Sequence, residues 1–274
     1  MALRPSSATV KGLVRLRSSR RARLEAGSYM LVGRRLFEES VVATIAHAGE
    51  ITDAKPLFYA SAERAEAAAA MLSERGLEPE QWLSVLSAKA AHKAAGVATC
   101  DGFLCTQPLP QPSRDSLPGA RWLVLDGISE PGNAGALLRT ALGFGFTGVW
   151  SIAGAGNADL FNERAVSAAA GATLHLGSCV GFRSGGVEEL QAALAEAEIE
   201  AFAAVPAMDR GAAPYQEALE GRRDLALVLG SEARGVSEEV LKISRAVCIP
   251  TRPECESLNV AVAGGVLMAH RALQ

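Results

Sequence analysis

Residues 123–141, LVLDGISEPGNAGALLRTA, decide the architecture. The apolar run Trp122–Leu125 has the composition of a buried strand. It breaks at Asp126 and Gly127, crosses Pro131 and Gly132, and re-forms as a helix near Ala134. A strand that passes over a Gly/Pro loop into a helix makes a binding edge, because the first turn of a helix offers backbone N–H groups without internal partners. Asn133 stands at the helix mouth, where an N-cap role would account for it. Arg139 follows six residues later among Ala136, Leu137, Leu138, Ala141 and Leu142. A fixed cation in a helix otherwise suited to burial needs an anionic partner, either an internal carboxylate or a ligand phosphate.

The residues downstream repeat the strand–helix theme. Strands are predicted at Trp122–Leu125, Gly148–Ile152, Thr173–Leu176, Ala201–Val205, Leu225–Leu229 and Ala246–Ile249. Helices are predicted at Ala134–Phe144, Phe161–Ala170, Val187–Ala197, Ser237–Ile243 and Ser257–Leu273. This alternation predicts an α/β fold: a mostly parallel sheet with helices on both faces, binding ligands beyond the strand C-termini. Gly143–Gly148, GFGFTG, matches the dinucleotide fingerprint letter for letter, but it follows a helix and leads into a strand, the reverse of the required order. Its glycines fit a helix terminus instead.

Upstream, short strands at Tyr29–Val32, Val41–Ala46, Pro56–Ala60 and Phe103–Thr106, with a helix over Ala62–Arg75, predict a smaller α/β unit. Gln107–Gly119, QPLPQPSRDSLPG, has four prolines in thirteen residues and reads as a semi-stiff linker. The expected division is therefore residues 1–107, a linker over 108–119, and residues 120–274.

No apolar run is long enough to span a bilayer, so a soluble protein is expected, in the cytoplasm or an organelle matrix or stroma rather than secreted. The formal charge of −3 conceals an asymmetry. Residues 1–35 carry nine basic side chains against Glu25 alone, a net +8 that leaves −11 for the remainder. Such a start points to RNA or DNA, with Lys11, Arg15, Arg20, Arg21 and Arg23 as the expected phosphate contacts. An Arg- and Ser-rich transit peptide would share this composition. The helix-like spacing of Val10, Leu13, Val14 and Leu16 favours a folded basic helix. The five cysteines (Cys100, Cys105, Cys179, Cys248, Cys255) lack metal-ligand spacing and suit reduced thiols. No metal site is expected, and the isolated histidines give hydrolase chemistry little support.

Two later stretches behave like the opening one. Leu227–Ser237, LVLGSEARGVS, leaves a strand through Gly230 into a polar turn with Glu232 and Arg234, and Gly235 precedes a short helix. Ile249–Val260, IPTRPECESLNV, leaves a strand through a Pro-rich loop, and Ser257 is placed to cap the final helix with Asn259 beside it. Three strand ends thus gather Asn133, Arg139, Glu232, Ser257 and Asn259. NAGALLRTA, GSEARGVS and IPTRPECESLNVAVA, in this order and spacing, resemble the three motifs of the SpoU family, the RNA 2′-O-ribose methyltransferases of the SPOUT class. The resemblance covers about Arg121 to the C-terminus. The first domain is similar, through SRRARLEAGSYMLVG, to the family's L30e-like substrate-binding domain, with Val32-Gly33 where relatives often carry Glu-Gly.

The resemblance implies a C-terminal trefoil knot, a homodimer formed through the methyltransferase domain, and S-adenosylmethionine as cofactor. Its pocket would be lined by Val205, Gly230, Gly235, Ile249 and Leu258. Arg139 matches the family arginine proposed to activate the 2′-hydroxyl; Asn133 and Glu232 would hold that arginine and its loop, and Ser257 and Asn259 would position ribose and cofactor. Pro253 replaces a frequent glycine and Thr251 a frequent methionine, which implies a stiffer cofactor loop. The expected substrate is structured RNA, ribosomal RNA before transfer RNA, and the competing expectation is a catalytically silent RNA-binding or assembly factor of the same fold.

Overall fold

The computed structural model describes residues 2–46, 55–97, 100–110, 121–176, 181–206, 211–222, 224–252, 254–255 and 257–272. Packing divides the chain into two units, Met1–Leu109 with Phe161–Leu174, and Pro110–Leu160 with His175–Gln274. The excursion of residues 161–174 into the first unit departs from the simple order of domain, linker, domain. Residues 111–120, most of the expected linker, lie outside the described residues, and Gln107 and Pro108 belong to a strand.

The first unit runs α1 (Ala8–Ser18), α2 (Arg20–Ala26), β1 (Ser28–Val32), α3 (Arg34–Ala46), β2 (Leu57–Ser61), α4 (Ala65–Ser73), α5 (Pro79–Trp82), β3 (Leu83–Leu86), α6 (Ala88–Ala95) and β4 (Phe103–Pro108). Its sheet has the order β1-β4-β2-β3, antiparallel at both β4 edges and parallel between β2 and β3. The two-residue side-chain period of a strand splits each strand between two cores. Tyr29, Leu31, Phe58, Ala60, Phe103 and Cys105 pack with Phe37 and Val41. Met30, Tyr59 and Leu104 turn the other way, toward Val10, Leu13, Ala90 and Ala94. The N-terminal segment is thus a folded helix with Val10 and Leu13 buried. Burial pushes the Cys105 thiol up to about 12, and its Sγ lies 3.2 Å from the Ser40 hydroxyl. That thiol is a core group.

The second unit continues with β5 (Arg121–Asp126), α7 (Pro131–Gly143), β6 (Gly148–Ile152), α8 (Glu163–Ala169), α9 (Ala172–Leu176), β7 (Gly181–Gly185), α10 (Val187–Glu196), β8 (Ala201–Val205), β9 (Ala213–Pro214), α11 (Tyr215–Ala218), β10 (Leu225–Gly230), α12 (Glu238–Leu241), β11 (Arg245–Cys248) and α13 (Val260–Ala272), of which α8 and most of α9 group with the first unit. The seven-stranded sheet has the order β7-β6-β5-β10-β8-β11-β9, and every adjacent pair is parallel. From β5 the chain winds outward through β6 and β7, then returns to build the other side from β8. The boundary of β5 and β10 is a topological switch point, where doubly wound sheets open a crevice for ligands.

Two predicted strands are helical. Val41–Ala46 closes α3, because Phe37, Val41 and Thr44 recur at helical spacing and are buried together. Thr173–Leu176 lies in α9, set off from α8 by Ala170 and Gly171 in left-handed conformations. Gly181–Gly185 supplies the edge strand that a glycine-rich sequence disguised. Helix α7 stops at Gly143, with the Phe146 N–H returning to the Ala141 carbonyl at 2.8 Å, so GFGFTG is a helix end.

Helix α13 sits close on α7 and β10. A Cβ at Gly264 would lie 2.4 Å from Leu137 Cδ2 and 2.8 Å from Leu229 Cδ1. Gly264→Val therefore overpacks this seam, and the expected loss is about 1–3 kcal/mol of stability in chemical denaturation. An unchanged denaturation midpoint would show that α13 moves aside without cost.

Candidate active site

The site is assembled where strands of the second unit end. Over six residues β10 pairs with β5, which sets Gly230 beside Asp126. Beyond that point β10 enters the turn Ser231–Gly235, closed by Ser231 N–H to Gly235 O at 3.1 Å and Gly235 N–H to Ser231 O at 2.8 Å. The turn folds back so tightly that a Cβ on Gly230 would lie 2.2 Å from the Gly235 carbonyl carbon and the Val236 nitrogen. Only glycine fits there. Asp126, 4% exposed, accepts the Ser237 N–H at 2.7 Å and ties the start of α12 to the end of β5. A carboxylate taken out of water this far requires such a partner.

Behind the turn lies a cavity of about 340 Å³. All five residues expected to hold the cofactor line it: Val205, Gly230, Gly235, Ile249 and Leu258. Val236, Leu241 and Val260 add to its aliphatic lining, and Ser231, Glu232, Arg234 and Ser257 supply polar groups. The volume falls within the roughly 300–1,000 Å³ of small-molecule sites. Thr251 also lines it, whereas Pro253 lies outside the described residues.

Three of the five catalytic candidates form one chain of hydrogen bonds. Asn133 Nδ2 donates to Glu232 Oε1, and Asn259 Nδ2 donates to Asn133 Oδ1 at 3.3 Å. Neither expected cap is the one observed. Helix α7 begins at Pro131, so Asn133 sits inside its first turn, with its side chain free for the network. Helix α13 begins at Val260, and Asn259 caps it, its Oδ1 accepting from the Ala261 and Val262 N–H groups at 2.9 and 3.3 Å. Ser257 lies on the cavity wall and is not the cap.

Arg139 stands apart from this chain. It is exposed on α7, opposite a buried face of Ala134, Leu137, Leu138 and Ala141, and it pairs with no carboxylate among the described residues. The expectation that Asn133 and Glu232 hold it is not met, since they hold each other. Of its two open explanations, the internal salt bridge finds no partner among the described residues.

Sequence reasoning missed two anchors. Asn157 uses its whole amide: Oδ1 accepts the Ile128 N–H at 2.7 Å, and Nδ2 donates to the Leu125 and Ile152 carbonyls at 2.8 and 3.1 Å, fastening the loops after β5 and β6. Arg234 lies on the cavity rim with Nη2 3.4 Å from the Ala155 carbonyl. A polar residue in the loop after β6 and a cation inside GSEARG were the only signals for them.

The basic residues of the first unit divide. Lys11, Arg15, Arg20 and Arg21 are exposed, with Arg15 and Arg21 sharing Glu25 at 3.5 and 2.6 Å. Arg23 is 4% exposed and donates to the carbonyls of Leu16 and Arg17, closing the C-terminal end of α1. It is a structural arginine and is withdrawn from the phosphate contacts.

The SpoU rRNA Methylase family matches residues 120–269, more than half of the chain. The chain belongs to this family. It is an RNA methyltransferase, a class whose methyl donor is S-adenosylmethionine. Among SpoU relatives, the Bacillus subtilis 23S rRNA (guanosine(2553)-2′-O)-methyltransferase RlmP is 33% identical over 149 residues, 54% of this chain and 56% of that protein. A Synechocystis protein described as an uncharacterized tRNA/rRNA methyltransferase is 28% identical over 200 residues, 72% of this chain and 70% of its own. The structure of a TrmH-family RNA methyltransferase described as putative, from Porphyromonas gingivalis, superposes with a TM-score of 0.76 at 27% identity, covering 97% of each chain.

Two outcomes test the placement of these side chains. Asn133→Asp sets a second carboxylate against Glu232; the pair repels and one of the two acids gains affinity for a proton in the folded state. The variant is then expected to melt below the parent at pH 7, with the deficit shrinking as the pH falls toward about 4, because the folded state takes up the proton above that pH and the unfolded state only near it. A deficit independent of pH would deny the contact. Arg23→Ala leaves buried carbonyls unpaired and is expected to cost about 1–3 kcal/mol in denaturation, whereas Arg20→Ala leaves stability unchanged and lowers RNA affinity with a shallower salt dependence.

Proposed function

We propose that this enzyme transfers the methyl group of S-adenosylmethionine to a ribose 2′-hydroxyl of structured RNA, with ribosomal RNA as its substrate. The observation that carries this function is the cavity at the C-terminal ends of β8 and β10. Its aliphatic wall of Val205, Ile249 and Leu258 suits an adenine ring, and the Glu232–Asn133–Asn259 chain borders it where a substrate group would enter. The specific choice of ribose and of ribosomal RNA draws support from RlmP, whose name gives it a 2′-O-methylation of 23S rRNA.

The bound cofactor supplies an electrophilic methyl on a sulfonium. The chain's residues must then fix the attacking hydroxyl in line with that methyl and dispose of its proton. Arg139, exposed and unpaired among the described residues, is the group that grips the RNA: its planar fork spans the hydroxyl and the adjacent phosphate, and the proton passes to that phosphate or to solvent. The Asn133–Glu232–Asn259 chain holds the loop ends in register, and Ser257 faces the ribose. Lys11, Arg15, Arg20 and Arg21 attract the RNA backbone. A second copy of the chain covers Val262, which is 55% exposed on α13.

Incubation with labelled S-adenosylmethionine and total RNA, followed by mapping of the labelled nucleotide, is expected to place label on a ribose of ribosomal RNA. Label in transfer RNA would change the substrate, and cofactor binding without labelled RNA would leave a silent RNA-binding factor. Arg139→Lys is expected to lose about 10²-fold in turnover at saturating RNA, because an ammonium cannot reproduce the fork. Retention of most of the turnover would overturn the bidentate role.

A further inference from the structure

Arg234 has a place in the site that neither the motif chemistry nor the hydrogen-bond chain uses. It projects from a rigid turn. Gly230 leaves no room for a Cβ, the Ser231–Gly235 backbone pair closes the loop, and the Arg234 N–H is fixed to Ser231 Oγ at 3.1 Å. Of the five N–H donors of its guanidinium, one bond is made among the described residues, from Nη2 to the Ala155 carbonyl at 3.4 Å. No carboxylate pairs with it there; Glu232, two positions away, accepts from Asn133 instead. Outside residues 1–35 the chain carries a net charge of −11, so an unpaired cation at the rim of its cavity is not part of a general basic surface.

The cavity offers two kinds of lining. Val205, Ile249 and Leu258 supply apolar surface, and Ser231, Glu232 and Arg234 supply polar groups that carry both signs of charge within three residues. S-adenosylmethionine calls for both: it has an adenine at one end, and at the other an amino-acid tail with an ammonium and a carboxylate. We propose that Arg234 is a cofactor-binding residue that holds the carboxylate of the methionine tail through its uncommitted N–H groups, with the turn Ser231–Gly235 delivering it preformed. The inference rests on the proposed use of S-adenosylmethionine at this cavity. A charge-assisted pair of this kind is strong because both partners are ionised and the guanidinium fork matches two carboxylate oxygens. A rigid turn adds to it by sparing the ordering cost on binding. An RNA phosphate presents similar anionic oxygens, and the test separates the two.

Calorimetric titration of the full chain, unaltered and as Arg234→Gln, uses two ligands: S-adenosylmethionine, and 5′-methylthioadenosine, which keeps the adenosine and sulfur but lacks the amino-acid tail. Glutamine can still donate to the Ala155 carbonyl but carries no charge. Arg234→Gln is expected to weaken S-adenosylmethionine by about 10- to 100-fold and to leave 5′-methylthioadenosine unchanged. Arg234→Lys should recover part of the difference. Equal weakening of both ligands would make Arg234 a prop for the turn and overturn the inference. So would unchanged cofactor affinity combined with a raised KM for RNA, which assigns the guanidinium to phosphate. If the unaltered chain binds neither ligand, the proposed function itself fails, an outcome distinct from either.

Discussion

The parallel pairing of Leu225–Gly230 with Arg121–Asp126 is the contact on which the site depends. These segments lie about a hundred residues apart in sequence, and their register sets Gly230 against Asp126. Because strands in a parallel pair end on the same side, the loops that follow them must share that side. Asn133 and Glu232 become hydrogen-bonding neighbours for this reason alone. The pairing also places the switch of winding direction between β5 and β10, so the crevice and the polar chain occupy one end of the sheet.

Around that pairing, the loops are held by groups whose removal would leave something buried and unpaired. Asp126 takes the Ser237 N–H, Asn157 satisfies three backbone groups, and Gly230 and Gly264 allow approaches that any side chain would block. Asp126, Asn157 and Gly264 do so without lining the cavity, and Gly230 also lines it. They keep the cavity wall and the hydrogen-bond chain in a fixed relation, so that little ordering is left for binding. The same rigidity explains why Arg139 and Arg234 stand out: in a site where most polar groups answer to one another, these two guanidinium groups are left with most of their donors unused among the described residues.

Much of this was legible in the residues. The alternation of strand and helix from Trp122 onward and the three strand-end motifs follow from local pattern, because each motif must carry its own turn glycine and polar group, whereas the five residues expected to line the cavity follow from the family resemblance those motifs carry. Val41–Ala46 was misread as a strand because β-branched residues favour strands until a buried face at Phe37, Val41 and Thr44 outweighs that preference. Gly181–Gly185 was missed because an edge strand of Gly, Phe, Arg and Ser draws its stability from the Gly148–Ile152 partner and not from its own composition. Arg23 counted as one basic residue among nine, and nothing local distinguishes an arginine that caps carbonyls from one that meets solvent.

By itself the sequence determined the family and the parallel α/β class, since these depend on periodicity and on motifs short enough to be read in one place. Tertiary structure alone decided the partners. It paired Asn133 with Glu232 instead of with a helix terminus, made Asn259 the cap in place of Ser257, left Arg139 without an internal carboxylate among the described residues, and set Arg234 on the cavity rim. The physical reason is that a hydrogen bond or ion pair is settled by which groups meet within about 3 Å, and for residues a hundred positions apart that distance is set by strand register and helix packing.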